Sequence, residues 1–397
     1  TINIPMSDEW AMRAFAYTRE DDGFMYNITT QDDAIAAYEE RGGRIQIAGP
    51  LSDNVSLYAS ARFNEWDGHN NNWVREKAGI SGNEFQYNYV SDIDSPSKSD
   101  KETTGLHLEV VWENDGFDMT YIGSYTDTEA DRPVDVDLVY ELWYDATQRE
   151  EFETSTHELR FASNTDSNLQ WQAGLYAMTF EKAERSTSTL GAWAGGPFTM
   201  RAAWYDSERE HVAAFGNVTY ESGPWTIDFG LRADSWEQSL DMVDQELTGF
   251  VHSNSTDGTE VLPRLTISRR LENDSMVYAG ASMGYEPGGV VASAPLFDQN
   301  NNPTLPTWEL EEVTQFELGW KGSFGDGRGN FAIAAFLIDY TDRIFTSVVQ
   351  QADGSLVEQL NNVGDSEQSG LELEVAVQAT EYLSLSGAIG FLDAEWD

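Results

Sequence analysis

Cysteine is absent from the chain, which removes disulfide frameworks, thiolate metal sites and cysteine nucleophiles from consideration. Cationic residues are scarce: 23 Lys and Arg stand against 69 Asp and Glu, for a formal charge of -46. A surface so poor in cations cannot neutralise a phosphate backbone, so nucleic acid is excluded as a partner. Long apolar runs are missing as well. The longest, residues 331–338, falls far short of the roughly 20 residues a membrane helix needs, so a chain of this composition that crosses a bilayer crosses it as strands. No charged-then-apolar leader opens the sequence. It starts at Thr1 inside what reads as a hairpin and stops at Asp397 as a strand finishes, so the expectation is a fragment cut at both ends.

What the chain does have is alternation. Val55, Leu57, Ala59, Ala61 and Phe63 interleave with Ser56, Tyr58, Ser60 and Arg62, giving one greasy and one polar face. The pattern recurs at Leu169, Trp171, Ala173 and Leu175, at Trp225, Ile227, Phe229 and Leu231, at Leu371, Leu373, Val375 and Val377, and at Leu383, Leu385, Ile389 and Phe391. Alternation by itself fits a soluble sandwich or propeller with one solvated face equally well. The connections separate the two. Turn-forming residues cluster at 50–54, 113–116, 164–168, 221–224, 272–274, 325–329 and 380–382, and longer excursions lie between them near 18–42, 64–104, 126–154, 180–208, 234–260, 285–312 and 340–366. Short and long connections in strict alternation put every long loop at one end, as outer-membrane barrels do and sandwiches do not. The expected fold is all-β: a transmembrane, antiparallel, up-and-down β-barrel with about sixteen strands present. Trp66, Trp112, Tyr125, Trp236 and Tyr340 fall near expected strand ends, where interfacial girdles sit. Asp127, Glu129, Asp131, Asp135, Asp137, Glu141, Asp145, Glu150, Glu151 and Glu153 fall between two expected strands and read as a solvated loop.

If the apolar rows face lipid, the opposite rows line the lumen. They carry Arg13, Arg44, Arg62, Arg160, Arg232 and Arg264 together with Glu158, Asp228, Glu317, Glu372 and Glu374. Mixed charge suits a water-filled pore, and it suits equally a wall that grips a folded plug through ion pairs and hydrogen bonds. Other motifs fail on context. Gly280, Ser282 and Gly284 spell G-x-S-x-G, but the serine sits inside an alternating strand with no helix after it. His107 and Glu109 offer two metal ligands without a third. The glycines of 325–329 lack the Lys-Ser/Thr of a phosphate cradle, and Asp92, Asp94 and Asp100 lack the spacing of a calcium hand, leaving only an irregular loop site open. No catalytic residue, metal ligand or cofactor is assigned.

Four passages then match a known pattern in order: "HELRFASNTDSNLQWQAGLY" from His157, "VYAGASMGYEPGGVV" from Val277, "TQFELGWKGSFGDGRGNFAIAAFLIDYTDRI" from Thr314 and "NVGDSEQSGLELEVAVQATEYLSLSGAIGFLDAEW" from Asn362. Over essentially its whole length the chain resembles the barrel portion of a TonB-dependent outer-membrane receptor. The resemblance implies a barrel of about 22 strands, of which residues 1–397 supply a part, with an N-terminal plug and the last strands missing. It implies outer-membrane lipid around the wall, the plug and through it the TonB complex as partners, and a scarce nutrient as cargo, a ferric siderophore before all others. A carbohydrate or vitamin receptor and a passive sixteen-stranded porin are the alternatives, with a soluble adhesin or hydrolase behind them. The acidic loops repel an anionic complex, so a neutral, cationic or locally Arg-contacted ligand is favoured. Trp193, Phe198, Trp204, Tyr205 and Trp308 offer stacking faces, and with Tyr285 and Glu286 beside the Pro-Gly-Gly segment they are the expected ligand contacts.

Overall fold

A computed structural model describes residues 1–69, 90–91, 93–94, 98–136, 142, 144–191, 197–244, 250–291, 296–297, 303–350 and 356–396. Its main body is one antiparallel sheet of sixteen strands in chain order. They are β1 (Ile2–Pro5), β2 (Ala11–Asp21), β3 (Tyr38–Ser52), β4 (Val55–His69), β5 (Lys98–Asn114), β6 (Phe117–Asp135), β7 (Tyr144–Ser163), β8 (Leu169–Leu190), β9 (Phe198–Ser222), β10 (Trp225–Asp244), β11 (Phe250–Arg270), β12 (Met276–Glu286), β13 (Glu311–Phe324), β14 (Gly329–Thr341), β15 (Ser366–Thr380) and β16 (Leu383–Trp396). Each pairs with its neighbours in sequence, and β1 and β16 end the order. The expected all-β meander and its strand number are what the structure contains. The short connections are tight where glycine or aspartate takes up a left-handed backbone, as at Gly116, Gly223, Asp274 and Asp326.

Cross-strand register divides the residues between two faces. On the outward face of β10, Ile227 and Phe229 pair with Tyr220 and Val218 of β9 and with Ile267 and Leu265 of β11. These side chains are about half exposed, Phe229 at 47% and Val212 at 61%, because their partner is hydrocarbon. Above the band the same row turns acidic. Glu237 lies between Glu210 and Asp257, Glu129 between Glu102 and Glu151, and Glu367 between Asp339 and Glu395. The negative charge forms a collar on the outside of the wall.

That collar corrects the sequence reading of the acids. Asp127, Glu129, Asp131 and Asp135 belong to β6, and Asp145, Glu150, Glu151 and Glu153 to β7; Asp137 and Glu141 lie outside the described residues. Likewise 180–208 and 234–260 are mostly strand, and β9 alone runs for 25 residues, roughly 80 Å if fully extended. A membrane strand needs only about 9–11 residues, so the ladders carry the wall well beyond the bilayer. Among the aromatic residues expected in a girdle, Trp112 and Tyr125 face outward. Trp66, Trp236 and Tyr340 instead share the inward face, paired in register with Glu40, His211 and Ser366.

The buried apolar core is small and lies inside the wall. Ala203, Tyr205, Leu240 and Met242 of β9 and β10 are covered by Val290 and Leu305, two residues of the connection between β12 and β13. A second cluster, Met25, Ile35 and Ile93, joins the β2–β3 and β4–β5 connections, with the Asn27 amide donating to the Ile93 carbonyl at 2.7 Å.

Candidate functional site

The inward face can be followed strand by strand: Arg44 pairs with Arg62, Arg62 with Gly105, Gly105 with Thr126, Thr126 with Thr154, Thr154 with Phe180, Phe180 with Arg209, and Arg209 with Gln238. Strand alternation then puts Arg13, Glu158, Arg160, Asp228, Arg232, Arg264 and Glu317 on this same face. Most of them are engaged along the wall. Arg232 donates to Asp234 from Nε at 3.0 Å and Nη2 at 2.8 Å; Arg160 donates to Glu158; Thr219 and Asn217 donate to Asp228 at 2.6 and 3.0 Å; Tyr278 donates to Glu317.

Beyond the hydrocarbon band the inward row holds groups that sequence reasoning missed. Arg132 sits 2.7 Å from Glu150, Lys182 reaches Glu150 at 2.9 Å and Glu184 at 2.7 Å, and the Gln148 amide donates to Glu184 at 3.0 Å. Glu150 is 4% exposed and Asp234 5%, so removing a partner cation would leave a buried charge uncompensated. Their strands are polar on both faces at this height, which leaves no apolar period to reveal which side chains converge.

The connection from β12 to β13 supplies the other half of the site. β12 pairs with β11 only as far as Ser282, while β11 continues alongside β10. Freed from β11, the chain folds inward as a strap across β10. Burial on this strap pushes the Tyr285 phenol well above the usual tyrosine range, and the Asp234 carboxylate beside it adds to the effect. Gly289 pairs with Trp308 and Val290 with Thr307, and the Trp308 indole donates to the Pro287 carbonyl at 3.2 Å. The two glycines of the Pro-Gly-Gly motif have a steric cause. A Cβ on Gly289 would lie 2.1 Å from the Trp308 ring and 2.7 Å from the Gln238 side chain, and one on Gly288 would lie 2.8 Å from the Trp308 carbonyl. With no side chain at either position, the strap can pass between two tryptophans and the wall.

The structure thus places Tyr285 near the end of β12 against Asp234 of β10, carries Trp308 on the strap, sets Tyr205 in the core beneath it, and leaves Glu286 exposed where the strap begins, in register with Glu311. Trp204 is separated from them. It faces outward at 43% exposure, with the Arg185 guanidinium 5.4 Å from its ring. Phe198 begins β9 opposite Leu190, and Trp193 lies outside the described residues. Ser282 sits in mid-strand between Arg264 and Gln315, which is not the strand-turn-helix of a nucleophile elbow. His107 shares a hydrogen bond with Ser124 at 2.9 Å on the inward face, while His157 faces outward beside Tyr121. Among the described residues one acidic group is compact enough for a hard cation: Asp94, Asp135 and Asp145 bring carboxylate oxygens within 4.8 Å of one another.

The comparisons agree with this architecture. Residues 45–397 match the family model described as TonB dependent receptor-like, beta-barrel. Two curated relatives are the metal-pseudopaline receptor CntO of Pseudomonas aeruginosa, 27% identical over 177 residues covering 44% of this chain and 22% of that protein, and the probable TonB-dependent siderophore receptor PiuA of Acinetobacter baumannii, 27% identical over 193 residues covering 48% and 25%. Among solved structures, the ferric yersiniabactin uptake receptor FyuA of Yersinia pestis superposes with a TM-score of 0.79 at 18% identity, over 100% of this chain and 58% of that one. The chain therefore spans well under two thirds of the length of the proteins it resembles.

Proposed function

The chain belongs to the TonB-dependent receptor-like β-barrel family, whose members are transport receptors and not enzymes, and on that premise we propose that the complete protein captures a ferric siderophore at the cell surface for energised uptake into the periplasm. The barrel stands in the outer membrane, with its apolar rows against lipid. The reading is supported by the names of its relatives, which are receptors for siderophores or metal chelates. The observation that supports it in this molecule is the strap, a segment of the β12–β13 connection folded inside the wall with Trp308 on it and Tyr285 just before it. The porin and soluble-domain alternatives are set aside with the family assignment.

In this proposal Tyr285, Glu286 and Trp308 meet the ligand directly. Tyr205 supports them from below, and the inward row from Arg13 to Glu317 holds a plug through which the TonB complex pulls. Trp204, on the outward face, is not among these contacts, and Phe198 and Trp193 are proposed as further contacts from the sequence alone. The mechanism is binding and rearrangement, with no bond made or broken.

The test is uptake of isotopic iron by cells that carry the complete gene as their sole receptor of this family, supplied in turn with hydroxamate, catecholate and carboxylate chelates. Saturable uptake that stops when the inner membrane is de-energised is the expected result. Uptake of oligosaccharides or cobalamin in place of every iron chelate would transfer the protein to the carbohydrate or vitamin alternative.

A further inference from the structure

Arg44 and Arg62 face each other directly across β3 and β4 on the inward side. Side chains so placed have Cβ atoms only about 5 Å apart, and like charges there repel. In a chain with 69 acids to 23 bases, each would be expected to have found a carboxylate. Neither makes an ion pair or a hydrogen bond among the described residues, and both are exposed to the lumen. Arg13, on β2 beside Gln46, adds a third cation one step along the wall; its Nε donates only to the neutral Asn3 side chain at 2.7 Å.

The surroundings keep the pair in place and keep acids away from it. The two arginines line a cavity of about 480 Å³ with Phe15, Tyr17, Glu40 and Asn64. The one carboxylate in that lining, Glu40, is already taken: Tyr17 donates to it at 2.7 Å, Asn64 at 2.9 Å, and Arg19 lies 3.7 Å away. Arg62 lies flat over Gly105, where a Cβ would come within 2.5 Å of its Nε, so glycine at 105 is what seats the guanidinium against the wall. Two guanidinium forks on directly paired residues, exposed to the lumen and without a counter-charge among the described residues, suit a planar anion.

We infer that Arg44 and Arg62 form a carboxylate-binding site on the lumen wall. The site rests on the receptor reading and narrows it, since it gives a chain of repelling, acidic exterior one place where an anionic chelate is attracted. A carboxylate can reach it from two sources, a small ligand in transit or an acidic side chain of the polypeptide that fills the barrel.

The experiment uses the complete receptor in detergent at low salt, with citrate and ferric citrate as probes in calorimetry. It compares wild type, Arg44→Gln/Arg62→Gln, Gly105→Ala, and Arg328→Gln in a tight turn as control. If the source is a ligand, wild type and the control bind the probe, and the double variant loses at least about tenfold in affinity, about 1.4 kcal/mol, with Gly105→Ala intermediate. If the source is the polypeptide, no variant binds citrate, and the double variant lowers the melting temperature while the control does not. Equal citrate affinity in wild type and double variant, or no citrate binding together with unchanged melting, overturns the site. Iron uptake by the same variants keeps the two readings apart: loss of uptake in wild type as well would count against the receptor assignment and not against this site.

Discussion

At the residue scale, the fit of the strap depends on single atoms. Gly289 lies between Trp308 and Gln238 with no room for a methyl group, so Gly289→Ala is expected to cost about 1–3 kcal/mol and to release the strap, read as faster proteolysis of the 285–308 segment in the folded receptor. Gly387, where a Cβ would meet nothing within 4 Å, is the matched control and is expected to tolerate alanine. Asp234 is a different kind of dependence. It is almost wholly buried and holds both Arg232 and the Tyr285 phenol; Asp234→Asn leaves a partly exposed guanidinium without its counter-charge, an expected loss of about 2 kcal/mol in urea titration. Part of this is legible in the sequence. The glycines of the Pro-Gly-Gly segment stand out as a motif, but that they pass between Trp308 and Trp236 depends on contacts some twenty to fifty residues apart, which no local pattern encodes.

At the element scale, the strands are legible wherever one face touches hydrocarbon. Trp225, Ile227, Phe229 and Leu231 against Asp228 and Arg232 give a period of two, and the tight turns at 221–224 and 325–329 are where the turn residues put them. Above the band the legibility ends. There Glu208 and Glu210 face water while Arg209 and His211 face the lumen, so both faces are polar, the period vanishes, and long ladders look like loops. The same rows predict depth dependence. Phe229→Lys places a charge in the hydrocarbon band and is expected to destabilise folding into bilayers by about 2–4 kcal/mol, whereas Ser239→Lys, further along the same outward row, is expected to change it by less than about 1 kcal/mol. Equal costs at the two positions would remove the band's upper boundary.

At the scale of the whole molecule, a chain of formal charge -46 carries an outward collar in which acids stand next to acids across neighbouring strands. Self-repulsion of this kind is screened by salt. Raising sodium chloride from about 10 mM to about 500 mM is expected to raise the melting temperature of the receptor in neutral detergent, with a smaller rise in a variant carrying Glu129→Gln, Glu151→Gln and Glu237→Gln together. The collar also explains why an attractive site for an anion would be placed on the inner wall, out of reach of that field.

The whole account requires that the apolar rows touch lipid while their partners look into an aqueous lumen. This can be measured with single cysteines introduced from 227 to 239, a stretch of a segment that itself has no cysteine, in the complete receptor with any other cysteine replaced by serine, spin-labelled and reconstituted into bilayers. Accessibility to oxygen at Ile227, Phe229 and Leu231, alternating with its loss at the lumen-facing Asp228 and Arg232 and giving way to an aqueous nickel chelate on the outward row beyond Ser235, is the predicted profile. Labels at Ile227, Phe229 and Leu231 shielded from both reagents would mean that those rows are sealed against protein, and would contradict it.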